Sequence, residues 1–257
     1  MDLKKVGVAD VLTMGNGLCG ILAIVSFLFF EEGLSLGTAF IFLGMIFDGS
    51  DGMAARHFGT KHDYGRYLDS ISDSITFCVA PGVMVATYFF IPNQGMTPAN
   101  ILSLLASAMI AFLGIRRLVK FSLEGYKLKH FSGLATPANT FFVVVMIHFI
   151  HRNYPQTDPL LPLGVLMVAA SLQVVNVEYP KVRGKLAVSF AVIMGTFLVL
   201  LTIQHYSDLW FRIGDHDKPI TLYQILTFLA LGLVAFYVLV SPILLSFGKK
   251  PQKPASV

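Results

Sequence analysis

Eight long apolar stretches constrain this chain more than any other feature of its sequence. They run over residues 11–30, 34–55, 67–91, 99–119, 134–151, 160–177, 186–203 and 220–247, and a helix needs about 20 mostly apolar residues to cross a bilayer. In hydrocarbon every backbone polar group must be paired internally, so the expected fold is all-α: a polytopic membrane helix bundle of about eight transmembrane helices. With 55% hydrophobic and only 13% charged residues, no stretch remains for a water-soluble domain. Residues 1–248 read as a single membrane-embedded domain and residues 249–257 as a polar tail.

The basic residues orient this bundle. With an inner N-terminus and eight crossings, the inner side collects Lys4, Lys5, Arg56, Lys61, Arg66, Arg116, Arg117, Lys120, Lys127, Lys129, Lys181, Arg183, Lys185, Lys249, Lys250 and Lys253. Only Arg152, Arg212 and Lys218 are left outside. That asymmetry places both termini in the cytoplasm. It makes anionic lipid headgroups and phosphates, not nucleic acid, the expected partners of the positive charge. The first apolar stretch lacks a signal-peptide cleavage pattern and reads as a retained helix. Cys19 and Cys78 both fall inside apolar stretches and offer no disulfide framework.

Ionisable side chains within spanning helices are expensive and functional by default, and four aspartates stand in two adjacent stretches. Asp48 and Asp51 are three residues apart at the inner end of the second helix, and Asp69 and Asp73 four apart in the opening of the third. Each pair therefore shares a helical face. Two carboxylate pairs at one membrane depth repel unless a cation sits between them. Without Cys or His on those faces, hard divalent ions, Mg²⁺, Mn²⁺ or Ca²⁺, are the expected occupants. Four carboxylates suffice for two ions, the arrangement that clamps a phosphoryl group. Capping or solvation of helix ends accounts for one aspartate more readily than for four. Gly52, Ala55 and Gly65 leave room for a bulky anion or for close helix packing, and Arg56 offers a planar donor suited to phosphate.

Read together, Asp48-Gly-Ser-Asp51-Gly52-Met-Ala-Ala55-Arg56, eight residues, then Gly65-Arg-Tyr-Leu-Asp69-Ser-Ile-Ser-Asp73 gives D-x2-D-G-x2-A-R-x8-G-x3-D-x3-D. This string resembles the signature of the CDP-alcohol phosphotransferases in every fixed position and spacing. The resemblance implies a six-helix membrane core, here with two further helices, and a homodimer. It implies a two-metal centre on Asp48, Asp51, Asp69 and part of Asp73, with Asp73 also the general base. It places Gly52, Ala55, Arg56 and Gly65 around the CDP moiety. Asn16, in the first helix, either touches the nucleotide, as the resembling position does, or bonds a neighbouring helix.

Three further stretches concern the acceptor alcohol. Gly114-Ile-Arg116-Arg117-Leu-Val-Lys120-Phe121 closes the fourth apolar stretch, Phe131-Ser-Gly133-Leu-Ala135-Thr136-Pro137-Ala-Asn139 opens the fifth, and Val177-Glu-Tyr179-Pro-Lys181 follows the sixth. They resemble the serine-using branch of the family, with Lys120 in place of an Arg and Ala135 in place of a Pro. That branch implies CDP-diacylglycerol or CDP-archaeol and L-serine as substrates, with Arg116, Arg117 and Lys120 near the acceptor carboxylate. Membrane anchoring is the ordinary role of such cations. A sister enzyme taking glycerol 3-phosphate or an inositol phosphate would use the same cations, and a cation transporter would use intramembrane aspartates differently, at mid-depth.

Overall fold

The computed structural model describes residues 7–58, 63–124, 131–179, 212–213 and 220–240. The seventh apolar stretch, the polar tail and most of the inner-side cations lie outside the described residues, as does the side chain of Arg56.

The described chain is a helix bundle. Helices α1 (Val8–Phe29) and α2 (Gly33–Phe58) form an antiparallel pair joined by a tight turn. Then α3 (Asp63–Ser74) runs through a π turn (Ile75–Val79) into α4 (Ala80–Phe89). Next come α5 (Pro98–Glu124), α6 (Thr136–Asn153), α7 (Leu160–Leu172) and α8 (Leu222–Ala235), the last followed by a second π turn, Phe236–Val240. Four spans among the described residues are long and apolar enough to cross a membrane: Val8–Phe29, Gly33–Ala55, Tyr64–Phe89 and Pro98–Leu123. The protein is an integral membrane protein on that evidence.

Helix α1 shows how the bundle is turned relative to a soluble one. Val8, Val11, Met14, Leu18, Ile21, Val25 and Leu28 are exposed at helical spacing, while Asp10, Thr13 and Asn16 are buried. Apolar groups face outward and polar groups inward, the inverse of a helix on a water-facing surface. The inner face approaches the π turn closely: a Cβ on Gly20 would stand 2.8 Å from the Thr76 backbone. Only glycine allows that contact.

The π turn has a local cause. Pro81 has no amide to give to the carbonyl four residues back, and that oxygen, on Phe77, accepts Thr140 Oγ1 of α6 at 2.7 Å. Far from the aspartates, Thr38 Oγ1 and His148 Nε2 pair at 2.9 Å and tie α2 to α6. The apolar core between these helices includes Phe42, Phe77, Ile110, Phe141 and Leu166.

One difference from the sequence reading follows from polar docking. The sixth stretch, expected over 160–177, is helical only over Leu160–Leu172, about 20 Å at 1.5 Å per residue and short of the roughly 30 Å hydrocarbon core. It stops because residues beyond it turn back to meet the entrance of α6. There β1 (Phe131–Ser132) pairs antiparallel with β2 (Glu178–Tyr179), the Gly133 amide donates to the Val177 carbonyl at 2.8 Å, and the Leu134 amide donates to the Leu172 carbonyl at 2.9 Å. Gly133 has φ +82°, and a Cβ there would collide with the Gln173 carbonyl oxygen. Glycine is required on both counts. A second two-residue ladder pairs β3 (Arg212–Ile213) with β4 (Ile220–Thr221), ahead of α8.

Candidate active site

Three helices converge on the aspartates. From α2 and α3, Asp48, Asp51 and Asp69 each present a carboxylate oxygen, and these oxygens lie within 4.8 Å of one another. Asp51 is 8% exposed, and Asp48 and Asp69 are half-buried. Asp73, one turn beyond Asp69, lies within electrostatic reach of all three. Its Oδ1 accepts the Asn16 amide Nδ2 at 2.9 Å, while Thr13 Oγ1 donates to Asp51 Oδ2 at 2.5 Å. Helix α1 thus holds one carboxylate of each pair. Along α3 and the π turn, Asp69, Ser72, Asp73 and Thr76 follow i, i+3, i+4, i+7 spacing, and both elements meet α1, with Thr76 Oγ1 donating to the Asn16 carbonyl at 2.8 Å.

Like charges gathered in a low-dielectric setting are strongly unfavourable without a counter-ion. The donor set fits a divalent cation: three all-oxygen ligands from two rigid helices, converged, with one oriented by a hydroxyl outside the set. Gly52 and Ala55 lie half-buried on the final turns of α2. Gly65 opens α3, where a methyl group would stand 3.5 Å from Asp10 Oδ1. Sequence reasoning missed Thr13, although it lies one turn before Asn16 on the polar face of an apolar helix; Asp10 accepts the Gly7 amide at 2.9 Å and caps the start of α1.

The stretches read as concerning the acceptor also meet. Of the three cations ending α5, Arg117 is buried, at 8% exposure, while Arg116 and Lys120 are exposed. Arg117 Nη1 donates to Thr136 Oγ1 at 3.2 Å, in the first turn of α6. Lys120 Nζ is 3.5 Å from Asn176 Oδ1. Cys78, in the π turn that follows Asp73, lies within electrostatic reach of both Asp73 and Arg117. The β1–β2 ladder closes the floor of this region, where Tyr179, buried, donates to the Val238 carbonyl at 3.1 Å.

Residues 6–175 match the protein family described as CDP-alcohol phosphatidyltransferase. A CDP-diacylglycerol–serine O-phosphatidyltransferase of Bacillus subtilis is 35% identical over 136 residues, 53% of this chain and 72% of that protein. One of the same description from Methanocaldococcus jannaschii is 28% identical over 204 residues, covering 79% of this chain and 88% of that protein. An archaetidylserine synthase of Methanothermobacter thermautotrophicus is 29% identical over 191 residues, 72% of this chain and 76% of that protein.

Proposed function

The chain belongs to the CDP-alcohol phosphatidyltransferase family, and from that premise we propose that it transfers the phosphatidyl or archaetidyl group of a CDP-linked lipid to the hydroxyl of L-serine, releasing CMP. The observation that supports the choice of acceptor is the burial of one cation among the described residues of the α5 end, Arg117, beside Thr136 and within electrostatic reach of Cys78 in the π turn that follows Asp73. One buried positive charge balances the one carboxylate of a zwitterionic amino acid. Glycerol 3-phosphate and inositol phosphate carry a dianionic phosphate that calls for several cations, and Arg116 and Lys120 are exposed. We place Arg116 and Lys120 at the exposed rim of the same acceptor site, where they also attract anionic headgroups. The names of the relatives from three organisms support the same acceptor.

In the proposed reaction Asp48, Asp51 and Asp69, with part of Asp73, would hold two divalent ions, Mg²⁺ or Mn²⁺. When bound, these ions supply neutralising charge for the diphosphate oxygens and the departing CMP. Gly52, Ala55, Arg56 and Gly65 border the CDP moiety. Asp73 takes the proton of the serine hydroxyl, the serine oxygen bonds to the lipid-side phosphorus, and the bond from that phosphorus to the CMP oxygen breaks. Asn16 occupies Asp73 Oδ1 and so turns Oδ2 toward the acceptor, acting as a positioning residue. The functional unit is a homodimer in the cell membrane, with both termini and the active site on the cytoplasmic side. Its single domain spans residues 1–248.

Arg117→Ala tests the assignment in the purified chain. The KM for L-serine rises at least about tenfold with the CDP-lipid KM kept; an unchanged serine KM contradicts it.

A further inference from the structure

Two buried amides near Arg117 have no hydrogen-bond partner among the described residues. Asn139 is 0% exposed and Gln173 is 2% exposed, and neither the oxygen nor the nitrogen of either side-chain amide has a hydrogen-bond partner among the described residues. Folded proteins pair nearly all such groups. Two unpaired amides in one region form a polar surface awaiting a ligand with both donors and acceptors.

Their placement is built by the fold. Asn139 stands three residues after Thr136 on α6 and shares its face, and Thr136 accepts the Arg117 guanidinium. Gln173 ends α7, held there by the close approach of Gly133 to its carbonyl. The Gln173 Oε1 is 3.5 Å from the point where a methyl on Gly114 would sit, and that same point is 2.7 Å from Cys78 Sγ. Gly114 precedes Arg117 by one turn of α5, and Cys78 belongs to the π turn after Asp73. Gln173 therefore lies beside Gly114 and Cys78, and Asn139 lies on the α6 face that carries Thr136 and its bond to Arg117.

We propose that Asn139 and Gln173 are specificity-determining residues of the acceptor pocket, their amides receiving the ammonium and carboxylate of L-serine beside Arg117 and Thr136. The proposal rests on the serine-transfer reading above. The amide oxygens accept from the ammonium, and the amide nitrogens join Arg117 in donating to the carboxylate. A phosphate-bearing alcohol offers no ammonium, so both amide oxygens would stay buried and unpaired, and a site built this way rejects it.

The test uses the full chain purified in lipid nanodiscs with Mn²⁺ and CDP-diacylglycerol, comparing wild type with Asn139→Leu and Gln173→Met. Each variant raises the serine KM at least about tenfold while the CDP-lipid KM stays within about twofold. The ligand-free melting temperature is unchanged or higher, since an unpaired buried amide has been exchanged for an apolar group of similar size. An unchanged serine KM in both variants, or a lower melting temperature with equal losses for both substrates, overturns the proposal. On the unaltered protein, ethanolamine and 3-hydroxypropanoate each lack one charged group of serine and compete at least about tenfold more weakly than serine binds; equal potency of either also overturns it. Wild type that releases CMP with glycerol 3-phosphate and not with serine defeats the serine reading itself, whereas serine turnover with indifferent variants defeats the inference alone.

Discussion

Asn16 of α1 donates its side-chain amide to Asp73 Oδ1 of α3 at 2.9 Å, across a helix contact so close that α1 presents glycine to it at Gly17 and Gly20. The carboxylate assigned to proton transfer is thus oriented by a residue 57 positions earlier in the chain. Replacing Asn16 with Leu removes a hydrogen bond to a charged group, worth about 1.5–3 kcal/mol. The expected result is a kcat about 10- to 100-fold lower with the CDP-lipid KM within about twofold. A rise in that KM with kcat unchanged would make Asn16 a nucleotide contact instead.

Thr13 stands to Asp51 as Asn16 does to Asp73, through a 2.5 Å hydrogen bond. Thr13→Val keeps the shape and removes the hydroxyl. Groups that orient metal ligands typically contribute 10- to 100-fold to metal affinity or activity, so the Mn²⁺ concentration for half-maximal CMP release rises at least about tenfold. An unshifted Mn²⁺ titration would confine Thr13 to packing.

Chelation addresses the carboxylate cluster directly. With Asp48, Asp51 and Asp69 oxygens converging within 4.8 Å, EDTA abolishes CMP release and added Mg²⁺ or Mn²⁺ restores it. Turnover that survives chelation would detach the cluster from catalysis.

Gly133→Ala forces a side chain into a φ of +82° and against the Gln173 carbonyl. Strain of this kind costs about 1–3 kcal/mol, and the melting temperature falls by at least about 2 °C. Because Gly133 joins the entrance of α6 to the end of α7, the serine KM rises as well. A variant with unaltered stability would show that the junction is soft.

The sequence made the spans and the aspartates legible because both depend on local spacing. Apolar runs of about 20 residues fix helices in a bilayer, and i, i+3 or i, i+4 carboxylates share a face wherever the helix packs. The partners of those carboxylates depend on how α1 rotates against α2 and α3, which spacing alone does not encode. The same limit applied to the cations: Arg116 and Arg117 point about 100° apart on α5, and only packing decides which is buried. A signal was present, since Gly114 and Arg117 share a face and a small residue marks the packed side. The early end of α7 was hidden by the apolar run through Val177, because the cause is a distant one, the docking of Gly133 and Leu134. The π turn was readable from Pro81, four residues after a carbonyl that it cannot pair.

The most direct measurement of the central claim is CMP release from CDP-diacylglycerol by the purified full chain with Mn²⁺, offered L-serine, glycerol 3-phosphate and an inositol phosphate in turn, alongside Asp73→Asn. The account predicts release with L-serine alone, and loss of turnover in Asp73→Asn with CDP-lipid binding kept. Release with a phosphate-bearing alcohol in place of serine, or near-normal turnover in Asp73→Asn, would contradict it.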